Sequence, residues 1–292
     1  MSLLAWGMTC AGTAILVAGA LLAWPRVRAA SGVGKLLQLA LVFEAAPLAV
    51  FSMEHFFDSR DLMRMVPHWL PGPLFWTYFV GVALLAAAIS FIAWRCVRWA
   101  AALLALLFLI IVATIDLPKM AAEAHDRLFW TLTVRETAFA SGAIVLAGSL
   151  WPGKTASAVL IRIGRAFLAA TFVFYAIEHF LFPRNVPGVP LEKMTPDWMP
   201  APTVIAYFVG IILLVSGVGL LLRRTVRLAA AGSGAVLLLL TAFFYVPILF
   251  TEIRTPLVVE GLNYVFDTML FAATALLAGF GPDQPSPISP QS

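Results

Sequence analysis

The sequence predicts an all-α integral membrane protein with about nine transmembrane helices, arranged as one N-terminal helix plus two parallel four-helix-bundle repeats. Three observations predict it. First, 62% of the 292 residues are apolar and 12% are charged, whereas soluble domains sit nearer half and a quarter. That balance excludes a soluble globular domain, a disordered chain, a nucleic-acid binder and a disulfide scaffold. Second, apolar runs recur at 2–24, 36–53, 74–94, 97–118, 129–150, 158–181, 203–222, 228–250 and 259–281. Each approaches the about 20 residues a helix needs to cross about 30 Å of hydrocarbon. The runs do not alternate with period two, which excludes a transmembrane barrel, and an open sheet would leave its edges unsatisfied in lipid. Third, the second half of the chain repeats the first in order.

Residues 1–33 form the N-terminal transmembrane helix. Its basic residues, Arg26 and Arg28, follow the apolar run instead of preceding it, so it reads as a retained helix and not as a signal peptide. With the N-terminus outside, eleven Lys and Arg fall on the inner side and seven on the outer, which is positive-inside bias. The expected location is the cell membrane, specifically a bacterial inner membrane, with the C-terminus inside. Cys10 and Cys96 lie at different depths on this topology, too far apart to bridge.

The repeat runs from residues 34–152 to residues 156–282, and the Pro-rich segment 283–292 reads as a disordered tail. Met53-Glu54-His55-Phe56 returns as Ile177-Glu178-His179-Phe180, and Pro67-His68-Trp69-Leu70-Pro71 as Pro196-Asp197-Trp198-Met199-Pro200. Tyr78-Phe79-Val80-Gly81 returns as Tyr207-Phe208-Val209-Gly210, Arg95 and Arg98 as Arg224 and Arg227, and Pro118 as Pro247. The step is 124 residues at His55 and 129 at Gly81, so the second copy carries a five-residue insertion within 182–190. Four helices per copy start both copies on the same side, a parallel duplication.

Two four-helix units with an outer loop after the first helix resemble the DoxX/DoxD-like family of membrane proteins. Gly81 and Gly210, and the run from Arg135-Glu136 to Gly142-Ala143, carry the resemblance. Family members are usually single units, and where their first helix commonly ends Gly-x-x-Lys, the copies here read Glu54-His55 and Glu178-His179. The resemblance implies an accessory subunit of a membrane redox system, with a quinone as cofactor and a soluble or periplasmic redox partner.

All four histidines fall on the outer side. Glu54, His55, Glu178 and His179 form the repeated outer-face motif. Adjacent Glu-His lacks the three- or four-residue spacing of ligands on one helix face. His55 and His179 are therefore weak metal candidates, and helix-end capping is the plainer reading. Acids inside spans are costly and call for a partner or a purpose. Glu44 lies roughly 15 Å below Glu54 at helical rise. It is expected to pair with Arg135, the first and fourth helices of a unit being neighbours, with Glu136 as a further acid. Asp267, in the second copy, is expected to be unpaired and to donate to Tyr or Asn. The copies differ at these places: Phe51 answers to Tyr175, Asp116 to Tyr245, and the second copy also offers Asn263. Lys119 and Arg127 are expected to be solvated. Three functions remain open: a quinone-interacting redox subunit, a small-molecule or lipid-binding transporter with a cavity between the repeats, and a structural partner without chemistry.

Overall fold

The computed structural model describes residues 2–189 and 191–281, so the tail expected over 283–292 lies outside the described residues. Among them the chain is helical, with a single isolated β-bridge between Asn185 and Met194. The elements are α1 (Leu3–Ala29), α2 (Gly34–Leu37), α3 (Ala40–Phe57), α4 (Ser59–Leu62), a 3-10 turn Met63–Met65, α5 (Pro73–Ala93), α6 (Val97–Ile111), a π-helix Val112–Asp116, α7 (Leu117–Ala122) and α8 (Arg127–Ser149). There follow α9 (Lys154–Leu181), α10 (Pro202–Leu221), α11 (Val226–Leu240), a π-helix Thr241–Tyr245, α12 (Val246–Glu252) and α13 (Val258–Leu277).

Seven helical stretches are long and apolar enough to cross a membrane: Leu3–Ala29, Gly34–Phe57, Pro73–Ala93, Val97–Ala122, Lys154–Leu181, Pro202–Leu221 and Val226–Glu252. The two long helices outside that set, α8 and α13, carry Arg135, Glu136, Glu260 and Asp267. Both have largely enclosed C-terminal parts. Ala138–Ala140 and Phe271–Leu277 lie in the core, and α8 packs on α13 at the centre of the molecule. Polar groups can sit in these helices because protein, not lipid, surrounds them.

The eight helices after α2 close into a ring in the order α3, α5, α6, α8, α9, α10, α11, α13, with α13 returning to α3. The fourth helix of each half therefore packs against the first helix of the other half. The first and fourth helices of the first half are thus not the neighbours expected, while in the second half Phe172 and Tyr175 of α9 still meet Phe271 of α13. Helix α1 lies outside the ring, against α3, α5 and α13.

Two local features recur at a fixed interval. The π-helices occupy 112–116 and 241–245, each followed at once by a helix with proline in its first turn, Pro118 or Pro247. Proline offers no N–H to the carbonyl four residues back and its ring crowds that carbonyl. A locally widened turn accommodates both. Gly81 and Gly210 let α5 and α10 approach their neighbours. A Cβ at Gly81 would meet His55 Cβ at 2.9 Å, and one at Gly210 would meet His179 Cβ at 3.1 Å. Such small-residue contacts are how helices pack closely in lipid. The Arg95 turn is tight, with Trp94 and Cys96 at φ of 57° and 56°.

Candidate functional site: a cavity in the first half

A cavity of about 750 Å³ opens beside the C-terminal end of α3, in the first half. Its walls are apolar: Phe79, Val80 and Leu84 from α5, Leu107, Phe108, Ile110 and Ile111 from α6, and Phe139 from α8. One side is polar, formed by Glu54 and His55 of α3, Asp116 of the π-helix, Arg135 and Glu136 of α8, and Asn263, Tyr264 and Asp267 of α13. Phe79 and Ile110 are also 48% and 49% exposed on the outer surface, so the cavity reaches the flank of the molecule between α5 and α6. Leu62, Met65 and Val66 of the outer loop cover its end.

The polar side is organised by Arg135. Its Nη1 donates to Asp267 Oδ2 at 2.7 Å, and its Nη2 and Nε donate to Glu136 Oε1 at 2.9 and 3.2 Å. The three side chains are between 12% and 17% exposed. Asn263 Nδ2 donates to Glu54 Oε1 at 2.9 Å. Charge-assisted bonds of this kind are the stronger class of hydrogen bond. Asp116 Oδ2 and Asn263 Oδ1 are enclosed without a hydrogen-bond partner. Buried polar atoms are seldom left so.

The structure corrects several expectations. Arg135 pairs with Asp267 across the two halves, not with Glu44, because α3 lies beside α13 and not beside α8. Asp267 is accordingly not unpaired. Glu44 is fully buried, neither carboxyl oxygen has a hydrogen-bond partner, and it is not among the cavity-lining residues. The outer acids do not cap loop N–H groups through their side chains: Glu54 accepts from Asn263, and Glu178 from Arg127 at 2.7 Å. Arg127, expected to be solvated, lies in that ion pair and also donates to Leu191 O.

Among the described residues, loop backbone and side chains pack into the matching end of the second half. His179 Nδ1 bonds to Tyr175 O, and its Nε2 accepts the Gly188 N–H at 2.8 Å. With both ring nitrogens engaged by backbone, His179 is no metal ligand. Among the described residues no group of three or more His, Cys, Asp or Glu is placed to hold a metal. Tyr245 donates to Pro187 O, and Val186 and Val189 are buried. Gly188, at φ 104°, turns the chain where a Cβ would touch Leu237, Leu240 and Thr268 at 3.6 Å. Tyr175, also buried, donates to Thr131 O at 2.9 Å. Outside the spans, Lys193 donates to Glu252 at 2.7 Å and Glu260 at 2.8 Å. Burial pushes the Lys193 ammonium down, but the two carboxylates outweigh it and hold the group above the usual lysine range.

Tyr264, Glu260, Thr114 and Leu191 also line the cavity and were not singled out from the sequence. A signal existed for the α13 residues. Positions 260, 263, 264, 267 and 270 follow helical three-and-four spacing, which places them on one face.

One family model matches the chain, a domain of unknown function (DUF8561), over residues 44–150. That stretch runs from Glu44 to the end of α8 and holds most of the cavity wall. No curated protein and no solved structure matches the chain.

Proposed function

We propose that this chain is a nine-crossing membrane protein that takes an amphipathic small molecule into the outer cavity of its first half, as a binding protein or transporter. The observation that carries the reading is the cavity itself. Apolar walls meet one polar side, and the opening between Phe79 and Ile110 lies on the apolar flank. Pockets with apolar walls and a few convergent polar groups are the usual form of small-molecule sites. The cavity is lined mainly by the first half, and α13 of the second half completes its polar side.

Nine crossings count α8 and α13 with the seven more apolar stretches; their lengths of 23 and 20 residues support that. An ancestral duplication is supported by the π-helices spaced 129 residues apart and the two Gly–His contacts. Positive-inside bias supports an outer cavity, in a bacterial inner membrane with the N-terminus outside and the C-terminus inside.

A quinone is the second reading. The rings of Phe108 and Phe139, 5.7 Å apart, wall a space suited to a flat ring, with carboxyls beside it able to exchange protons. The redox-subunit role and its soluble partner, implied by the likeness to DoxX/DoxD-like proteins, stand or fall with that ligand. Mass spectrometry of small molecules extracted from the purified protein tests both. One amphipathic species, lost in Ile111→Trp, supports the binding reading, and a quinone supports the second. Bulk phospholipid alone, unchanged in Ile111→Trp, contradicts both.

A further inference from the structure

We infer that the cavity's ligand is a cationic amphiphile, a protonated amine on an apolar chain, whose N–H groups are received by His55, Asp116 and Asn263. The inference rests on the cavity being a binding site and adds the chemical class of what binds.

The second half supplies the template. There the Nδ1 of His179 bonds to a carbonyl, which only accepts, so Nδ1 carries the proton and Nε2 offers a lone pair. That lone pair is taken by an N–H, from Gly188. His55 is held the same way, with Nδ1 at 2.8 Å from Phe51 O. Its ring lines the cavity, and among the described residues no group donates to its Nε2. The place that Gly188 fills in one half is open in the other, and it calls for a hydrogen-bond donor.

The other partnerless polar atoms on the cavity side agree. Asp116 Oδ2 is acceptor-only as a carboxylate, and Asn263 Oδ1 is a carbonyl oxygen. Among the lining side chains, Asn263 Nδ2 already donates to Glu54, and Arg135 to Glu136 and Asp267. With Glu260 paired to Lys193, the lining still sets Glu54, Asp116, Glu136 and Asp267 against the single Arg135. An anionic head would meet this surplus of carboxylates with no unengaged cation. A neutral head would satisfy some acceptors and leave the charge uncompensated. An ammonium provides three donors and the missing positive charge, while its chain lies along Leu107, Phe108 and Ile111.

The test uses the full-length protein in lipid nanodiscs, with empty nanodiscs as the partition control and three probes of equal chain length: dodecylamine, dodecanol and dodecanoate. Dodecylamine is expected to bind about tenfold or more tighter than dodecanol, the scale of one charge-assisted contact, with dodecanoate weakest. Asp116→Asn should shrink the amine's advantage several-fold and leave dodecanol affinity in place. Asn263→Leu serves as the second variant should Asp116→Asn fail to fold. Dodecanoate binding as tightly as the amine, or an amine advantage untouched in both variants, overturns the inference. Dodecanol that binds saturably and is displaced in Ile111→Trp, with no preference for amine, sinks the amine class and leaves the cavity reading standing. No saturable binding of any probe removes both.

Discussion

His55 lines a cavity, whereas 124 residues on, His179 Nε2 is capped by the Gly188 N–H. The surroundings diverge in step. Asp116 gives way to Tyr245, which reaches Pro187, and Phe51 gives way to Tyr175, which reaches Thr131. The loop after α9 is five residues longer than its counterpart, and it spends them inside the protein, with Val186, Gly188 and Val189 occupying the cavity position. One end keeps acids and space, and the other trades them for tyrosines and packed backbone.

The comparison breaks most sharply at Arg135. Arg135→Met leaves Asp267 and Glu136 enclosed without their cation, and losing one partner of a buried pair costs about 3–5 kcal/mol. Chemical or thermal unfolding in detergent should show a loss of that size, larger than for Arg127→Met at the second half. Equal losses would mean that the cross-half ion pair holds no special place.

A matched pair of insertions probes the space itself. Ile111 lines the cavity, and Leu240, at the position 129 residues on, packs by Gly188. Leu240→Trp should destabilise by about 1–3 kcal/mol, the range for overpacking a filled core, and Ile111→Trp should cost under about 1 kcal/mol. The same unfolding assay reads both. A reversed order would place the void in the wrong half.

Tyr245→Phe removes the hydrogen bond to Pro187 and should cost about 1 kcal/mol. Faster proteolysis at 182–200 would register the loosened plug, and unchanged cleavage would separate Tyr245 from it. The smallest effect concerns Lys193. Its ammonium is held above the ordinary lysine value of about 10.4. Its ties to Glu252 and Glu260 are therefore intact at neutral pH and are lost as pH rises beyond that value. Proteolysis of the same loop should accelerate only above about pH 10.5 and should lose this dependence in Lys193→Met. Acceleration near neutral pH would contradict the assignment.

Much of the helical layout was legible because runs of apolar residues leave few alternatives. The Glu-His and Tyr-Phe-Val-Gly echoes were legible too, and they mark real contacts, Gly81 on His55 and Gly210 on His179. Arg135, Glu136 and Asp267 stood out by their cost. Their partnership did not, because sequence spacing within one unit cannot reveal that α13 packs on α8. The plug was legible only as a five-residue surplus; that Gly188 and Tyr245 bury it depends on side-chain reach across the bundle. Arg127 and Glu178 meet where the consecutive helices α8 and α9 pack antiparallel, the start of one beside the end of the next.

The central claim is that one half is open to a ligand and the other is closed by its own loop. Native mass spectrometry of the purified protein and of the two insertion variants tests it most directly. The account predicts one bound small molecule per chain, lost in Ile111→Trp and kept in Leu240→Trp. A molecule kept in Ile111→Trp and lost in Leu240→Trp would contradict it.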